Sequence, residues 1–376
     1  MQHLRPSTGR AISRLRCAAA GLIATCQIIG AETALAADGR PRVAPAQGAA
    51  AAAPGGVVAP PDRAPLGKLI KRLRLLTHNV YAVDEDSCDQ RARGFGLQLA
   101  RAGSSGRQPY DIVGLQEYYE DHFFDAGTVC DDSTLLQAAR STGMYRNSSN
   151  TSLFRPRFDG RHNGGVGVLT LHRIRTDLDW RWGNDQQGLF EAVEGFMFAR
   201  IEIPGKDLAI DTYVVHLNSG RDNVAGRQRQ LRQLAARIAQ FSKASGNPVI
   251  VMGDFNIGGP QPRTNPPGNP GYQDIVRILR SPSDLWLNAH PQTVPTAGYT
   301  SGCDTQYRPA CLGKERIDYI FHVTDPALTN SPYQLVVTNV SRVRWAEPPK
   351  AAAKDRHFVS DHFGVDATIE IRVRSP

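Results

Sequence analysis

Carboxylate, amide and imidazole side chains follow apolar stretches at several places in this chain. The groups are His78-Asn79, Gln116-Glu117, His216 with Asn218, Asp254 with Asn256, and Asp361-His362, and Asp318 lies inside a further apolar stretch. An Asp or Asn after a strand often caps a turn through its own backbone, so each group alone is ambiguous. Their joint recurrence at the ends of apolar stretches is what we expect if several strands converge on one cleft.

Three of these residues form a candidate metal site. Glu117, Asn79 and Asp361 offer oxygen ligands and no thiolate. Hard oxygen donors are preferred by Mg²⁺, with Mn²⁺ or Ca²⁺ as alternatives, and not by structural zinc. We therefore expect a divalent cation with open positions for water and a phosphate oxygen.

The remaining polar residues suit proton transfer. His362 is the candidate general base, and Asp318 is the candidate carboxylate that fixes its tautomer. His216 and Asn256 are donors that can stabilise developing charge, and Asp254 is a candidate acid for the leaving group. With a metal, this set suits in-line attack of water on phosphorus. The sequence has neither a G-x-S-x-G elbow nor a Gly-rich phosphate loop.

Short apolar stretches separated by turn-rich loops predict a fold rich in strands. The predicted strands are 72–80, 111–116, 165–171, 194–203, 208–216, 248–252, 316–321, 333–340 and 363–373. Several are apolar on both faces, which is typical of sheets covered on both sides. Because successive strand residues alternate, His78 and Asn79 should point to opposite faces, and this favours a packing role for His78.

The clearest predicted helix spans residues 222–242. Its apolar residues recur at helical spacing, at Leu231, Leu234, Ile238 and Phe241. Two further helices are predicted near 90–101 and 131–141. Strands outnumber helices, so the predicted architecture is two packed sheets with helices outside.

The first 66 residues differ from the rest in composition. Four arginines followed by the apolar run 17–29 and by Ala34-Leu35-Ala36 predict a signal peptide over 1–36, and the run is shorter than the roughly 20 residues that span a membrane. Lipidation at Cys26 is the alternative. Residues 37–66 are rich in Ala, Pro and Gly, which predicts a disordered linker. We expect one domain over 67–376, exported without a transmembrane anchor to the periplasm or medium.

The charge of the chain is a weak indicator of partners. The whole sequence carries a formal charge of +8; removing 1–36 removes four arginines and Glu32, which leaves 40 basic and 35 acidic residues, or +5. A mild positive charge favours nucleic acid or anionic surfaces, but the absence of a long run of like charges is equally typical of ordinary solvated faces.

Four cysteines follow the predicted signal peptide. We predict disulfides between Cys88 and Cys130 and between Cys303 and Cys311, because export favours disulfides and each pair lies in loops. Four cysteines allow three connectivities, and these stay open.

The order of the motifs resembles that of the endonuclease/exonuclease/phosphatase superfamily, also called deoxyribonuclease I-like. The motifs are "THNVY", "DIVGLQEYY", "GGVGVLTLHRI", "VVHLNSG", "VIVMGDFNIGG", "RIDYIF" and "SDHFGV", which together cover essentially the whole predicted domain. The resemblance implies an α/β (α+β) four-layer αββα sandwich, in which two mixed β-sheets pack face to face, and a metal-dependent phosphoesterase activity.

The same resemblance implies a role for each motif residue. It implies metal binding by Asn79 and Glu117, with Asp361 as a possible further ligand, and it pairs His362 with Asp318. It implies phosphate or transition-state contacts for His216 and Asn256, and proton transfer or water positioning for Asp254.

Within that superfamily, the chain is most similar to secreted bacterial sphingomyelinases C and neutral sphingomyelinases. The stretches that carry this similarity are "HNVY", "FEAVEGFMFARIEI" and "HLNSG". It implies hydrolysis of sphingomyelin or a similar phospholipid to a ceramide-like product and phosphocholine at a membrane surface, with no stable protein partner. The alternatives are an extracellular Mg²⁺-dependent nuclease acting on nucleic acid and a catalytically silent binding module.

An enzyme acting on lipids must dock on a bilayer, for which exposed aromatic side chains are suited. Candidates are Tyr118, Tyr119, Phe123, Phe124, Trp180 and Trp182. The alternative for all of them is packing in the core.

Overall fold

A computed structural model describes most of the chain beyond residue 66. The described residues are 67–81, 88–104, 106, 108–118, 133–148, 165–182, 195–220, 222–259, 270–291, 298–301, 315–345 and 359–374. The predicted signal peptide and linker lie outside them. So do both predicted disulfides, because Cys130, Cys303 and Cys311 fall in the gaps. Within these ranges no helix has the length and apolar character needed to cross a membrane.

Twelve strands and five helices occur in the described residues. The strands are β1 Leu69–Asn79, β2 Ile112–Gln116, β3 Asn147–Ser148, β4 Gly167–Thr170, β5 Ile174–Arg181, β6 Gly195–Glu202, β7 Ala209–His216, β8 Val249–Asp254, β9 Ser283–Asp284, β10 Asp318–Val323, β11 Tyr333–Val343 and β12 Gly364–Val373. The helices are α1 Cys88–Ser104, α2 Ser133–Arg140, α3 Val224–Ser242, α4 Pro270–Ile278 and α5 Leu285–Ala289.

The strands form two mixed six-stranded sheets. The first has the order β11-β12-β1-β2-β4-β3, and the second has the order β5-β6-β7-β8-β10-β9. Their facing sides share one apolar core, whose members include Leu75, Ile112, Met197, Val214, Met252 and Ile320. Gly114 lies in this interface, where a Cβ would be 2.9 Å from Val214 Cγ2, so a larger residue would push the sheets apart.

Helices cover the two outer faces. Leu231, Leu234 and Ile238 of α3 are buried in one cluster with residues of β8. Phe95 and Leu99 of α1 are buried in another cluster with Val113 of β2. The predicted αββα sandwich is therefore confirmed.

Strand pairing brings several chain segments to one end of the sandwich. In the first sheet β1 runs parallel to β2, with Asn79 opposite Gln116. In the second sheet β7 runs parallel to β8, with His216 opposite Asp254. The antiparallel strands β12 and β10 begin where these strands end, since Val365 pairs with Thr77 and Asp318 pairs with Asp254.

Some elements differ from the sequence-based prediction. Helices α4 and α5 were not predicted, and β8 continues to Asp254 although the prediction ended this strand at residue 252. Glycine is required at position 253 inside this strand, because Gly253 has φ +143° and a Cβ there would lie 2.0 Å from Val215 O. The close approach of β7 and β8 at this point therefore explains why the strand contains a glycine.

Candidate active site

The polar residues at this end continue the inner faces of the strands. Side chains two residues apart share a face, so His216 follows Val214, Asp254 follows Met252 and Asp318 precedes Ile320. The three apolar residues belong to the core between the sheets. The polar residues therefore lie where that core opens at the end of the sandwich.

His362 and Asp318 form a buried pair. His362 Nδ1 is 2.9 Å from Asp318 Oδ2, and the two side chains are 7% and 0% exposed. The other ring nitrogen faces further carboxylates, since Nε2 is 3.8 Å from Asp254 Oδ2 and 3.9 Å from Asp361 Oδ1. One nitrogen is thus fixed by a hydrogen bond, and the other points toward the centre of the site.

Asn79 connects the first sheet to the second. Its Nδ2 donates to Glu117 Oε1 at 2.9 Å and to Asp254 Oδ2 at 3.2 Å. Its Oδ1 accepts from the backbone N–H of Tyr81 at 3.0 Å. The structure therefore brings two residues of the predicted metal site, Asn79 and Glu117, against Asp254.

His216 lies beside the same carboxylates without hydrogen bonding to them. Its Nε2 is 3.9 Å from Glu117 Oε1 and 3.8 Å from Asp254 Oδ2, which is beyond hydrogen-bond distance. Its Nδ1 is buried and has no hydrogen-bond partner among the described residues. Trp182 Nε1 donates to the carbonyl oxygen of His216 at 3.0 Å and holds the strand end in place.

Asn256 is placed at the edge of this group. Its Nδ2 donates to Leu217 O at 2.8 Å, and its backbone N–H donates to Asp254 Oδ1 at 2.7 Å. Asn256 and Glu117 both have φ of 50°, a conformation that is uncommon outside glycine and that clusters at functional sites. In each case the chain turns sharply at or just after the end of a strand.

Burial makes the anionic forms of two carboxyl groups unfavourable. It raises the pKa of Asp254 to about 8, and repulsion by Asp318 is the second cause. It also raises the pKa of Glu117 to about 7, with Asp361 as the second cause. The site therefore concentrates more negative charge than its own side chains compensate.

The pKa values of His216 and His362 are shifted in opposite directions. Burial lowers the pKa of His216 to about 4, and the neighbouring charge of His362 lowers it further. Burial alone would also lower the pKa of His362, but Asp318, Asp361 and Asp254 together raise it well above its ordinary value. At neutral pH His216 is thus the neutral imidazole of the site.

The residues present fit a divalent cation. Glu117 Oε2 is buried without a hydrogen-bond partner in the described part of the chain. Asp254, Asp318 and His362 present possible ligand atoms within 4.8 Å of one another. The unpartnered oxygen belongs to the predicted site of Glu117, Asn79 and Asp361, and the cluster around His362 lies beside that site. Both groups of residues offer carboxylate oxygens, which are hard donors suited to Mg²⁺, Mn²⁺ or Ca²⁺.

The aromatic residues near the site that the structure describes are packed in the core. His78 is buried between rings, with centroids 5.1 Å from Phe95 and 5.8 Å from Trp345, as expected for a packing role. Tyr118 and Trp182 are 2% and 0% exposed, so the structure places both in the core and not on a docking surface. The candidates Tyr119, Phe123 and Phe124 lie outside the described residues.

Sequence reasoning did not single out three residues that hold the site. Trp182 was considered for docking or for packing in the core, Ser360 lies in the quoted "SDHFGV" motif without an assigned role, and Thr300 was not considered. Ser360 Oγ donates to Asn79 O at 2.6 Å and accepts from His362 N at 3.0 Å. Thr300 had no signal, because it lies between segments without a clear periodic pattern.

The chain is similar to a known family of proteins. The model of the Endonuclease/Exonuclease/phosphatase family matches residues 76–362. The chain belongs to this family. The resemblance inferred from the motifs is thereby confirmed. Enzymes of the Endonuclease/Exonuclease/phosphatase family hydrolyse phosphodiester bonds and use divalent metals. No curated protein matches the sequence.

Solved structures share the fold at low sequence identity. Sphingomyelinase C from Streptomyces griseocarneus has a TM-score of 0.52 and 20% identity, over 80% of this chain and 99% of that one. Humanized TDP2 from D. rerio has a TM-score of 0.53 and 18% identity, over 79% and 98%. Beta toxin 275-280 from Staphylococcus aureus has a TM-score of 0.52 and 20% identity, over 78% and 99%.

Proposed function

We propose that the protein is a secreted, divalent-metal-dependent phosphodiesterase that hydrolyses sphingomyelin or a similar choline phospholipid to a ceramide-like product and phosphocholine. The observation that carries a hydrolytic role is the placement of His362, whose Nδ1 is held by Asp318 at 2.9 Å while Nε2 faces Asp254 at 3.8 Å. A base with one fixed and one inward-facing nitrogen is suited to activating water.

The neutral form of His362 is the one that acts as a base, and a bound cation that compensates the neighbouring carboxylates would favour it. In the proposed reaction, Nε2 of this neutral imidazole takes a proton from the water that attacks phosphorus in line with the leaving alkoxide. Asp318 accepts the hydrogen bond from Nδ1 and stabilises the imidazolium that forms. Asp254 lies within reach of both histidines and gives the proton to the departing alkoxide. His216 and Asn256 donate hydrogen bonds to the phosphoryl oxygens as their charge increases.

Glu117, Asn79 and Asp361 would hold the divalent cation. When bound, such a cation polarises a phosphoryl oxygen as a Lewis acid and compensates negative charge. The uncompensated carboxyl groups and the unpartnered Glu117 Oε2 support its presence.

The choice of a choline phospholipid is supported by sequence and by fold. The stretches "HNVY", "FEAVEGFMFARIEI" and "HLNSG" resemble those of secreted sphingomyelinases. Sphingomyelinase C from Streptomyces griseocarneus shares the fold over 99% of its length. The predicted signal peptide over residues 1–36 supports export out of the cytoplasm, where the enzyme would reach phospholipids at a membrane surface.

A nuclease of the same fold is the second candidate, and one cation favours it. The guanidinium of Arg342 lies 4.1 Å from the ring centroid of Tyr299 and 4.8 Å from that of Phe363, the residue after His362. Within the described ranges Arg342 has no carboxylate partner; it donates to Tyr299 O at 2.8 Å. A fixed cation beside the site favours a substrate with further phosphates, and TDP2 from D. rerio has been solved with a single-strand DNA product.

The two candidates are separated by offering the purified protein sphingomyelin vesicles, phosphatidylcholine vesicles and plasmid DNA, each with Mg²⁺ or with chelator. Phosphocholine release from sphingomyelin that requires Mg²⁺ supports the proposal. DNA nicking without phosphocholine release overturns it in favour of the nuclease. Inactivity on all three substrates despite Mg²⁺ binding would instead indicate a silent binding module.

A further inference from the structure

We propose that Thr300 is a positioning residue that sets the geometry of the His362–Asp318 pair. It lies in the short segment 298–301, and it contacts the chain on both sides of the pair. Thr300 is fully buried, with 0% exposure. The inference rests on the proposed hydrolytic function, because its main readout is catalytic.

The hydroxyl of Thr300 holds the start of β10. Its Oγ1 accepts from the backbone N–H groups of Ile317 and Asp318, each at 3.1 Å. Since one oxygen accepts from two consecutive N–H groups, it fixes the position at which β10 begins and therefore the direction of the Asp318 side chain. A valine of the same shape would leave both N–H groups buried without this acceptor.

The backbone of Thr300 holds the segment that carries His362. Its carbonyl oxygen accepts from Phe363 N at 2.8 Å, and its own N–H donates to Glu315 O at 2.9 Å. Thr300 thus bonds to residues on either side of the pair: to Asp318 through the hydroxyl and to the neighbour of His362 through the carbonyl. One residue therefore bonds to both segments that carry the members of the pair.

Ser360 restrains the same segment from the other side. Its Oγ accepts from His362 N at 3.0 Å and donates to Asn79 O at 2.6 Å. The bond from His362 N to Ser360 therefore restrains the backbone at His362 independently of Thr300. Loss of the Thr300 hydroxyl should therefore displace Asp318 relative to a nearly fixed His362.

A second threonine provides a matched control. Thr170 is fully buried, its Oγ1 donates to Asp111 O at 2.8 Å, and it accepts from His172 N at 3.1 Å. It therefore also bonds to the backbone at both members of a histidine–aspartate pair, here His172 with Asp111, which lies outside the proposed active site. Thr170→Val removes a hydroxyl of equal burial without touching the site.

The test compares Thr300→Val, Thr300→Ser and Thr170→Val in the full chain. Thr300→Val should lower kcat by roughly 10- to 100-fold with KM unchanged, because a displacement of about 1 Å in a catalytic group has an effect of this size. Thr300→Ser should restore kcat, since it keeps Oγ. Thr170→Val should lower Tm without lowering kcat. Equal kcat for Thr300→Val and Thr170→Val would overturn the proposal.

A double variant separates positioning from a general loss of structure. If Thr300 acts through the pair, adding Thr300→Val to His362→Ala should not lower the residual rate further, whereas independent effects would multiply. A further loss in the double variant would contradict the proposal. If Thr300→Val does not fold, Thr300→Ala replaces it with the same expected outcomes.

One measurement needs no activity. The Nδ1 proton of His362, which is bonded to Asp318, should give a downfield proton NMR signal that His362→Ala abolishes. Thr300→Val should shift or broaden that signal, and Thr300→Ser and Thr170→Val should leave it in place. An unchanged signal in Thr300→Val overturns the positioning role. If the protein is inactive on all substrates, the proposed function fails, and this signal still decides the role of Thr300.

Discussion

Two buried histidine–aspartate pairs lie at different places in the sandwich, His172 with Asp111 beside β2 and β4 and His362 with Asp318 at the start of β10, and their surroundings differ. His172 Nε2 is 2.8 Å from Asp111 Oδ1, with side chains 9% and 6% exposed. His362 Nδ1 is 2.9 Å from Asp318 Oδ2, with side chains 7% and 0% exposed. Distance and burial are nearly equal, so neither of them distinguishes a catalytic pair from a structural one.

The difference lies in how completely the carboxylates are bonded. Asp111 Oδ2 also accepts from Arg74 N and Gln108 Nε2, each at 2.7 Å. Asp318 Oδ1 is buried with no hydrogen-bond partner in the described ranges, and His362 Nε2 faces Asp254 and Asp361 without a hydrogen bond. A saturated pair stabilises the fold, whereas an unsaturated one can bind and transfer protons.

The largest expected difference follows from removing each imidazole. His362→Ala should lower kcat by roughly 10⁴-fold, because general base catalysis is lost. His172→Ala should leave kcat unchanged and lower the free energy of unfolding by about 1–3 kcal/mol, because Asp111 loses a buried partner. Steady-state kinetics and urea unfolding of both variants measure this. A His172→Ala protein that folds but has lost kcat would break the comparison.

Asp318 and Asp111 should differ in their effect on kcat in the same direction as His362 and His172, but by a smaller factor. Asp318→Asn should lower kcat by roughly 10³-fold, because an amide no longer selects the reactive tautomer of the imidazole. Asp111→Asn should act on stability alone, since its partners include a backbone N–H and Gln108. Kinetics at a temperature well below both melting transitions separates the effects. Near-normal turnover by Asp318→Asn would contradict our assignment.

Removing a proposed cation ligand near the His362–Asp318 pair should lower activity by less than removing either member of that pair. Glu117→Gln should lower activity by roughly 100-fold or more and should abolish the rise of Tm that Mg²⁺ gives by binding the folded state. Chelator should reduce hydrogen-exchange protection around residue 362 and leave it unchanged around residue 172. Glu202→Gln, at an exposed ion pair with Arg175, is the control. A Glu117→Gln protein that keeps the full Mg²⁺-dependent rise of Tm would show that the ligand set is wrong.

His322, a buried histidine without a carboxylate partner in the described residues, should have the smallest effect on activity, because its expected contribution is to stability. Burial lowers the pKa of His322 to about 3, with Arg374 as the second cause. Because this lies below the unfolded value of about 6.5, the neutral form stabilises the fold above that pH, and the contribution is lost as the pH falls toward 3.

Comparing urea unfolding of the wild type with that of His322→Gln should show this pH dependence. The free energy of unfolding should fall with pH by an additional amount of about 1.4 kcal/mol per pH unit in the wild type. Parallel pH profiles of the two proteins would contradict the assigned burial of His322.

Much of the fold was predictable because its signals are local. Alternation and apolar runs located β1, β7 and β8, and helical spacing located α3. The edge strand β5 was not assigned, although its sequence IRTDLDWR alternates between charged and other residues. The short helices α4 and α5 were not assigned, because their few residues give a weak periodic signal that packing must complete. The requirement for glycine at position 253 was not predictable, because it comes from the backbone of the neighbouring strand β7.

The candidate site also has features that the sequence predicted and features that it did not. The residue types at the strand ends predicted which side chains to examine, and the structure brings Asn79, Glu117, Asp254 and His362 together. The saturation of Asp111, the unpartnered oxygen of Asp318 and the contacts of Thr300 were not predictable, because each depends on residues far away in the chain.

The sequence by itself determined the chemical inventory of this protein: apolar strands of a definite period, and carboxylate, amide and imidazole groups placed at their ends. Both properties are local, since they depend on neighbouring residues alone. Only the tertiary structure decided which histidine–aspartate pair is left unsaturated, because strand pairing sets the distance between groups that are tens or hundreds of residues apart. A hydrogen bond depends on that distance and on angle, and neither can be read from the order of the residues.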